Sequence, residues 1–324
     1  MRLTGRLQKW FMRTFPEPQI RGIFMLEDSV AEYEGALASA EHSPERFEIA
    51  LEMLKLDDDD RALPGFPRSL PRVLSSIRNI KLSLTSLTDN PSDPKIVAPN
   101  DFFPELETHA RSLGIGSLGC TKVPRQWIFR NKAVLHDNAI VLVMEMDKER
   151  MDKAPSPDTG LMVHETYDML GRAANRLAEY LRGQGYSAHA GHPLGGLALY
   201  PALAGLAGLG WRGANGILIA PDFGPRHRLA AVFTSIENLP HSGDNPHEWV
   251  ADFCAECQIC LDRCPVDAIL EEPVVHAGGR VSCIDNDKCF PYFAANHGCS
   301  ICIKVCPFSN RDYNSIREAF QGTA

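Results

Sequence analysis

The chain has 324 residues, a formal net charge of −8, 44% hydrophobic and 23% charged residues. That length allows one large domain with an appendage or two domains, with a substantial core, and the composition is that of an ordinary globular protein. The acidic balance argues against a dedicated nucleic-acid binder.

The first 21 residues carry Arg2, Arg6, Lys9, Arg13 and Arg21 against Glu17, with no apolar signal core and no twin-arginine pair. This basic helix, with Leu7, Trp10 and Phe11 apolar, offers a contact for a membrane surface or a partner, and docking on the core is the commoner fate of such a helix. Ser43 and Glu45 open a second predicted helix with Phe47, Leu51 and Leu54 at helical spacing, which the Asp57–Asp60 run and the following prolines break. "TDNPSDPK", residues 88–95, reads as a linker, so residues 1–96 form an N-terminal helical extension.

The core is expected over 97–240. "DFFPELETHARSLGI" predicts a capped helix with Leu106 and Ala110 on one face, and "AIVLVMEM", 139–146, a buried strand. Residues 166–186 predict an amphipathic helix with a stripe of Leu170, Ala174, Leu177 and Leu181, ended by Gly183 or Gly185. The uncharged stretch His192–Trp211 is long enough for a membrane span, but five glycines and two prolines favour a buried loop with a short helix. "GILIAP", 216–221, and "RLAAVFTS", 228–235, predict two more strands. Alternating helices and strands make the core α/β or α+β.

Nine of the ten cysteines follow residue 250, and the absence of an export signal points to a reducing, cytoplasmic setting. "CAECQICLDRCP" has the spacing C-x2-C-x2-C-x3-C-P, and "CSICIKVCP" repeats its end. Three closely spaced thiolates wrap one [4Fe–4S] cubane, and the displaced cysteine before proline reaches the second. Cys254, Cys257 and Cys260 are therefore expected to share one cluster with Cys306, and Cys264 to join Cys299 and Cys302 in the other. A zinc site needs four ligands and leaves both Cys-Pro pairs unexplained. The eighth ligand would stand at 296 in a plain two-cluster ferredoxin, where this chain has Asn296. Cys283 and Cys289 are both candidates, and spacing does not choose between them.

"KCFPYFAANHGCSICIKVCPFSN" resembles the C-terminal motif of the corrinoid-dependent reductases, the reductive dehalogenases and epoxyqueuosine reductases. The resemblance places the displaced ligand at Cys289 and leaves Cys283 spare. "AGLGWRGANGILIAPDFGPRHRLAAVFTS", 207–235, resembles the segment lying against cobalamin, which implicates Gly208, Gly210, Gly213, Asn215 and Gly216 in holding it. Glycines there let backbone approach a large flat ligand. "AEYLRGQGYSAHA" and "AIVLVMEMD" are closer to the dehalogenase branch, and the resemblance spans residues 100–312. It implies an α+β protein: a nitroreductase-like core, the extension, and a ferredoxin-like module at 241–324 with two [4Fe–4S] clusters. Cobalamin binds with its lower base detached, so His189 and His192 are expected to be surface or packed residues.

The implied function is a cytoplasmic cobalamin-dependent reductase acting on a small organic, organohalide-type substrate. Electrons come from an external donor such as ferredoxin or flavodoxin. Tyr167 is the expected proton donor, with Arg226 or Arg228 of "GPRHR" as the cation that helps it, and Asp168 is the alternative acid. Respiratory dehalogenases carry a twin-arginine leader and self-sufficient catabolic ones a flavin reductase domain, and neither is expected here. Epoxyqueuosine reductases have an Asp near the position of Tyr167, where this chain reads "HETYDML", which sets queuosine chemistry and its nucleic-acid partner second. A corrin-free electron-transfer protein is the other alternative.

Overall fold

The computed structural model describes residues 16–48, 52, 66–241 and 243–322. The predicted basic helix, Leu51, Leu54 and the Asp57–Asp60 run lie outside them. The N-terminal part supplies α1 (Pro16–Ser29), β1 (Ala36–Ala38) and α2 (Phe66–Thr85). The core continues with α3 (Phe102–Ser112), β2 (Ser117–Lys122), β3 (Ala133–Leu135), β4 (Asn138–Glu145) and α4 (Pro157–Gly183). It closes with β5 (Ala188–Gly191), α5 (Tyr200–Leu206), β6 (Trp211–Arg212), β7 (Leu218–Ile219) and β8 (His227–Thr234). This is a mixed helix and sheet architecture.

The central sheet runs β2-β4-β8-β5 with every neighbouring pair antiparallel. An antiparallel sheet commonly keeps one face in water; this one is covered on both. Ile140, Leu142, Ala230 and Val232 face Leu170, Ala174, Leu177 and Leu181 of α4. Ala139, Val141, Ala231 and Phe233 face Leu203 and Ala204 of α5 and Ile77, Ile80 and Leu84 of α2. Cover on both sides is why β4 reads as an unbroken apolar run rather than an alternation.

Helix α4 begins nine residues before the predicted start at Thr166. The Ser156 hydroxyl accepts from the Thr159 N–H at 3.1 Å and Pro157 occupies the first turn, a strong start signal. Residues 66–96, expected as extension and linker, pack against the core. Asn79 of α2 donates from Nδ2 to Asp168 at 3.0 Å and accepts at its carbonyl from Asn175 at 3.0 Å. Lys95 N–H reaches the Gly185 carbonyl at 2.9 Å. Residues 43–48 carry no regular secondary structure. The Ser43 hydroxyl there accepts from Ala40 N–H at 2.9 Å and donates to the Arg125 carbonyl at 3.0 Å, so it fastens a loop instead of starting a helix. Asp101 stands at the start of α3 without a side-chain cap bond. The strand expected over 216–221 shrinks to two residues because Gly216, at φ +75°, turns the chain. His189 and His192 are both fully packed. Among the described residues no helix is long and apolar enough to cross a membrane.

The C-terminal module comprises α6 (Trp249–Cys257), α7 (Ile259–Asp262), β9 (Ile269–Val275), β10 (Val281–Ile284), α8 (Asn286–Ala295), α9 (Ile301–Lys304), α10 (Pro307–Asn310) and α11 (Tyr313–Gln321).

Candidate metal centre and active site

The two cysteine runs share a local backbone. Gln258 follows Cys257 in the left-handed region (φ 47°) and opens the single turn α7. Ser300 (φ 67°) follows Cys299 and opens α9 in the same way. A side chain in this region costs roughly 1–2 kcal/mol, so tertiary contacts hold both turns. Pro307 then starts α10 directly after Cys306, where its missing N–H is no loss.

These turns sort the thiols into two sets. Cys254, Cys257, Cys260 and Cys306 line one small cavity together with Gly213 and Ala214. Burial, reinforced by Cys254 and Cys257, pushes the Cys260 thiol up to about 11. Burial, with Cys254, Cys260 and Cys257 adding, pushes Cys306 up to about 12. In the second set, burial first and then Cys299 and Cys264 raise Cys289. Burial, Cys299, Cys260, Cys289 and Cys264, in that order, raise Cys302. The chain thus brings Cys289 to Cys264, Cys299 and Cys302. Cys283 is buried on β10, near Arg212, with its Cβ 3.3 Å from where a side chain on Gly216 would begin. Cys120 is a core residue of β2, its thiol pushed up to about 12 by burial.

The donor sets fit two clusters. Thiols this dry stay protonated unless a metal takes the proton's place. Backbone N–H groups already aim at the sulfurs: Ala268 N–H lies 3.3 Å from Cys264 Sγ, and those of Ala214, Ile301 and Phe308 serve Cys254, Cys299 and Cys306. Such bonds favour the thiolate. Among the described residues no three His, Cys, Asp or Glu side chains close on one point as a single ion requires. A cubane spreads its thiolates over separate irons.

The glycine-rich segment answers partly to the protein itself. A Cβ on Gly210 would lie 2.2 Å from the Ile219 carbonyl oxygen, so close packing of β6 and β7 demands glycine there. Gly213 accepts from Gly216 N–H at 2.9 Å, and the Asn215 side chain ties Ile217 N–H at 3.1 Å to the Cys302 carbonyl at 3.4 Å. Gly208, at φ +69°, ends the turn after α5. For a corrinoid, which presents many amide groups, the relevant observation is at the start of β8: the buried Nε atoms of Arg226, one residue before the strand, and of Arg228, within it, have no acceptor. These residues fit a polar ligand lying against this end of the sheet.

Tyr167 lies in the middle of α4, eleven residues past its cap, not at a first turn. The Arg228 guanidinium stands 4.8 Å from the centre of its ring. Arg226 turns elsewhere, bonding Glu145 at 2.7 Å and the Met146 carbonyl at 3.3 Å. Asp168 is buried and accepts from Arg172 at 2.6 Å and Asn79 at 3.0 Å, with Arg72 at 3.5 Å. That cage makes it a strut between α2 and α4. His164, one turn before Tyr167, joins the group: burial and then the Arg228 cation lower it to about 4. Sequence reading missed it because the helix was started too late; i, i+3 spacing on the full helix would have found it.

Residues 253–309 match the family described as a 4Fe-4S double cluster binding domain. A two-cluster iron–sulfur module at the C-terminus of a mixed α and β core is thus the class of protein this is. The tetrachloroethene reductive dehalogenase of Desulfitobacterium hafniense is 33% identical over 215 residues, 60% of this chain and 37% of that protein. The epoxyqueuosine reductase of Synechocystis sp. is 34% identical over 128 residues, 34% of this chain and 39% of that one. The catabolic reductive dehalogenase NpRdhA in complex with 3-bromo-4-hydroxybenzoic acid shares the fold, with TM-score 0.68 and 22% identity, covering 85% of this chain and 41% of that one. The chain is a homologue of the reductive dehalogenases and, over a shorter stretch, of the epoxyqueuosine reductases, and the matched stretches cover less than half the length of these three relatives.

Proposed function

We propose that this protein is an oxidoreductase of the reductive dehalogenase type, using two [4Fe–4S] clusters and a corrinoid to reduce a small organohalide. Its parts are an N-terminal extension (1–96), a nitroreductase-like corrinoid-binding core (97–240) and a two-cluster module (241–324). The observation that carries the reading is the meeting of a complete thiol set with the core: Cys302 packs beside Met162 and Val163 on the same helix as Tyr167.

Cys264, Cys289, Cys299 and Cys302 hold the inner cluster. Cys254, Cys257, Cys260 and Cys306 hold the outer one, nearer an external donor such as ferredoxin or flavodoxin. A bound corrinoid would supply the cobalt chemistry for reducing a carbon–halogen bond, and the two clusters would supply its electrons. Gly208, Gly210, Gly213, Asn215 and Gly216 would form backbone that holds it, and Arg226 would offer it the Nε that has no acceptor. Tyr167 holds the proton at its hydroxyl and delivers it to carbon, while the Arg228 cation stabilises the phenolate left behind. The balance is organohalide plus two electrons and one proton, giving the reduced compound and halide.

Anaerobic reconstitution is the test. About eight irons and one cobalt per chain, with halide released from an organohalide, are expected. Tyr167→Phe should keep the metals and slow turnover by about 10²–10⁴-fold, the usual worth of a general acid. Full iron without cobalt uptake would leave an electron-transfer protein, and reduction of an epoxyqueuosine stem-loop instead of any organohalide would move the reading to the other branch.

A further inference from the structure

The charge of the chain is unevenly placed. Residues 241–324 hold 12 Asp and Glu against 6 Lys and Arg, so they carry −6 of the chain's −8. Each cubane with its thiolates adds further negative charge to the same module. Lys304 is turned inward, its Nζ on the Ala154 carbonyl at 2.9 Å, so it does not offset this at the outer end. There a groove opens between α6 and α11. Phe253, Ile259, Ile316 and Phe320 line it, and Cys257 forms part of its wall. Its charged lining residues are Glu256 and Arg311. Asp252 stands exposed one turn before Glu256 on the same helix face.

The inner set faces the core, where Cys302 lies among Met146, Met151 and Met162. Electron transfer falls steeply with distance, so a donor has to bring its redox group to the thiol set that reaches an open surface. We propose that this groove docks the electron donor, and that the donor is a basic redox protein seating an apolar side chain in the groove beneath a ring of Lys and Arg. The inference rests on reading Cys254, Cys257, Cys260 and Cys306 as the outer cluster, and it narrows the external donor by its charge. An aromatic-lined pocket takes the anchoring side chain of a protein contact. A rim of opposite charge speeds encounter and turns away partners of like sign. A carrier as acidic as this module is therefore repelled from it.

The test is stopped-flow oxidation of dithionite-reduced, cluster-reconstituted protein by two ferric haem proteins, cytochrome c with a basic face and cytochrome b5 with an acidic one. In each case one electron leaves a reduced cluster and turns a ferric haem ferrous, and the same contact serves electrons in either direction. Raising salt from about 10 mM to about 0.3 M should slow cytochrome c at least about tenfold and speed cytochrome b5, a difference of sign that driving force does not produce. Glu256→Lys should slow cytochrome c several-fold at low salt with iron content unchanged. Glu272→Lys makes the same change of net charge on β9, outside the groove, and should slow it far less. If Glu256→Lys does not retain its iron, Asp252→Lys replaces it in the same comparison. A cytochrome c rate indifferent to salt, a cytochrome b5 rate that falls with salt, or equal slowing by the groove and β9 variants overturns the proposal. The readout needs neither corrinoid nor turnover. A protein that reduces no organohalide yet shows the groove-dependent rate loses the proposed reaction and keeps this docking site, and one that turns over without that dependence loses the docking site alone.

Discussion

The Cys257–Cys260 turn and the Cys299–Cys302 turn share one backbone device, and they differ in what they lean on. Around the outer set the module builds its own aromatic box: Trp249, Phe253, Phe308 and Tyr313 pack edge to face with ring centres 5.0–5.8 Å apart. A groove of about 720 Å³, lined by Phe253, Cys257, Ile259 and Phe320, opens beside it. The inner set is clamped to the core. Cys302 sits among Met146, Met151, Met162 and Ile303. Lys304 Nζ bonds the Ala154 carbonyl at 2.9 Å, and a Cβ on Gly160 would lie 2.9 Å from the His297 carbonyl oxygen. Cluster potential follows solvent exposure and the hydrogen bonds to sulfur, so two sites of one design are expected to differ in potential.

The sharpest way to break this comparison is to remove one ligand at a time. Cys289→Ser should cost the inner cluster, about half the iron of a two-cubane protein, whereas Cys283→Ser should keep it all. Iron counting with electron paramagnetic resonance decides, and the reverse pattern would exchange the two cysteines.

Acid comes next in size, and it should strike the core that clamps the inner set. Burial lowers His136, His164, His192 and His227 to about 4 and His189 to about 3. In the unfolded chain each titrates near 6.5, so there the unfolded state binds more protons and stability falls as pH drops from about 6.5 toward 4. Each histidine contributes at most about 1.4 kcal/mol per pH unit, and none of this loss occurs above about pH 7. Thermal midpoints followed by far-UV dichroism at pH 7.5 and 5.5 should fall together with the inner-cluster signal; unchanged midpoints would refute it.

Truncating the aromatic box should act on the other site. Trp249→Ala is expected to cost about 3–5 kcal/mol locally and to release the outer cluster first, read by iron retention during dialysis. Loss of the inner cluster first would show that the two supports are not separate.

The smallest effect tests the shared backbone. Gln258→Gly and Ser300→Gly each relieve a left-handed side chain and add backbone freedom to the unfolded chain. Both should stabilise by about 1 kcal/mol or less, with the same sign in chemical denaturation. Opposite signs would show that only one turn is held by its surroundings.

The sequence by itself spaced seven cysteines for two clusters and determined the buried strands at 139–146 and 228–235 and the stripe of the long helix. These features are periodic or spaced along the chain, and covalent connection carries such information directly. It also pointed to Tyr167 and the arginines of "GPRHR". It could not choose between Cys283 and Cys289 by spacing, because loop closure costs nearly the same for both. Nor did it foresee that residues 66–96 would dock on α4, since Asn79 meets Asp168 and Asn175 only across long sequence gaps. Tertiary structure decided which cation faces Tyr167. Arg226 and Arg228 are two residues apart at the start of β8, and the position of Glu145 at the end of β4 takes one of them away. The charge left over on Arg228 has no origin in local pattern; it comes from where three distant segments stop.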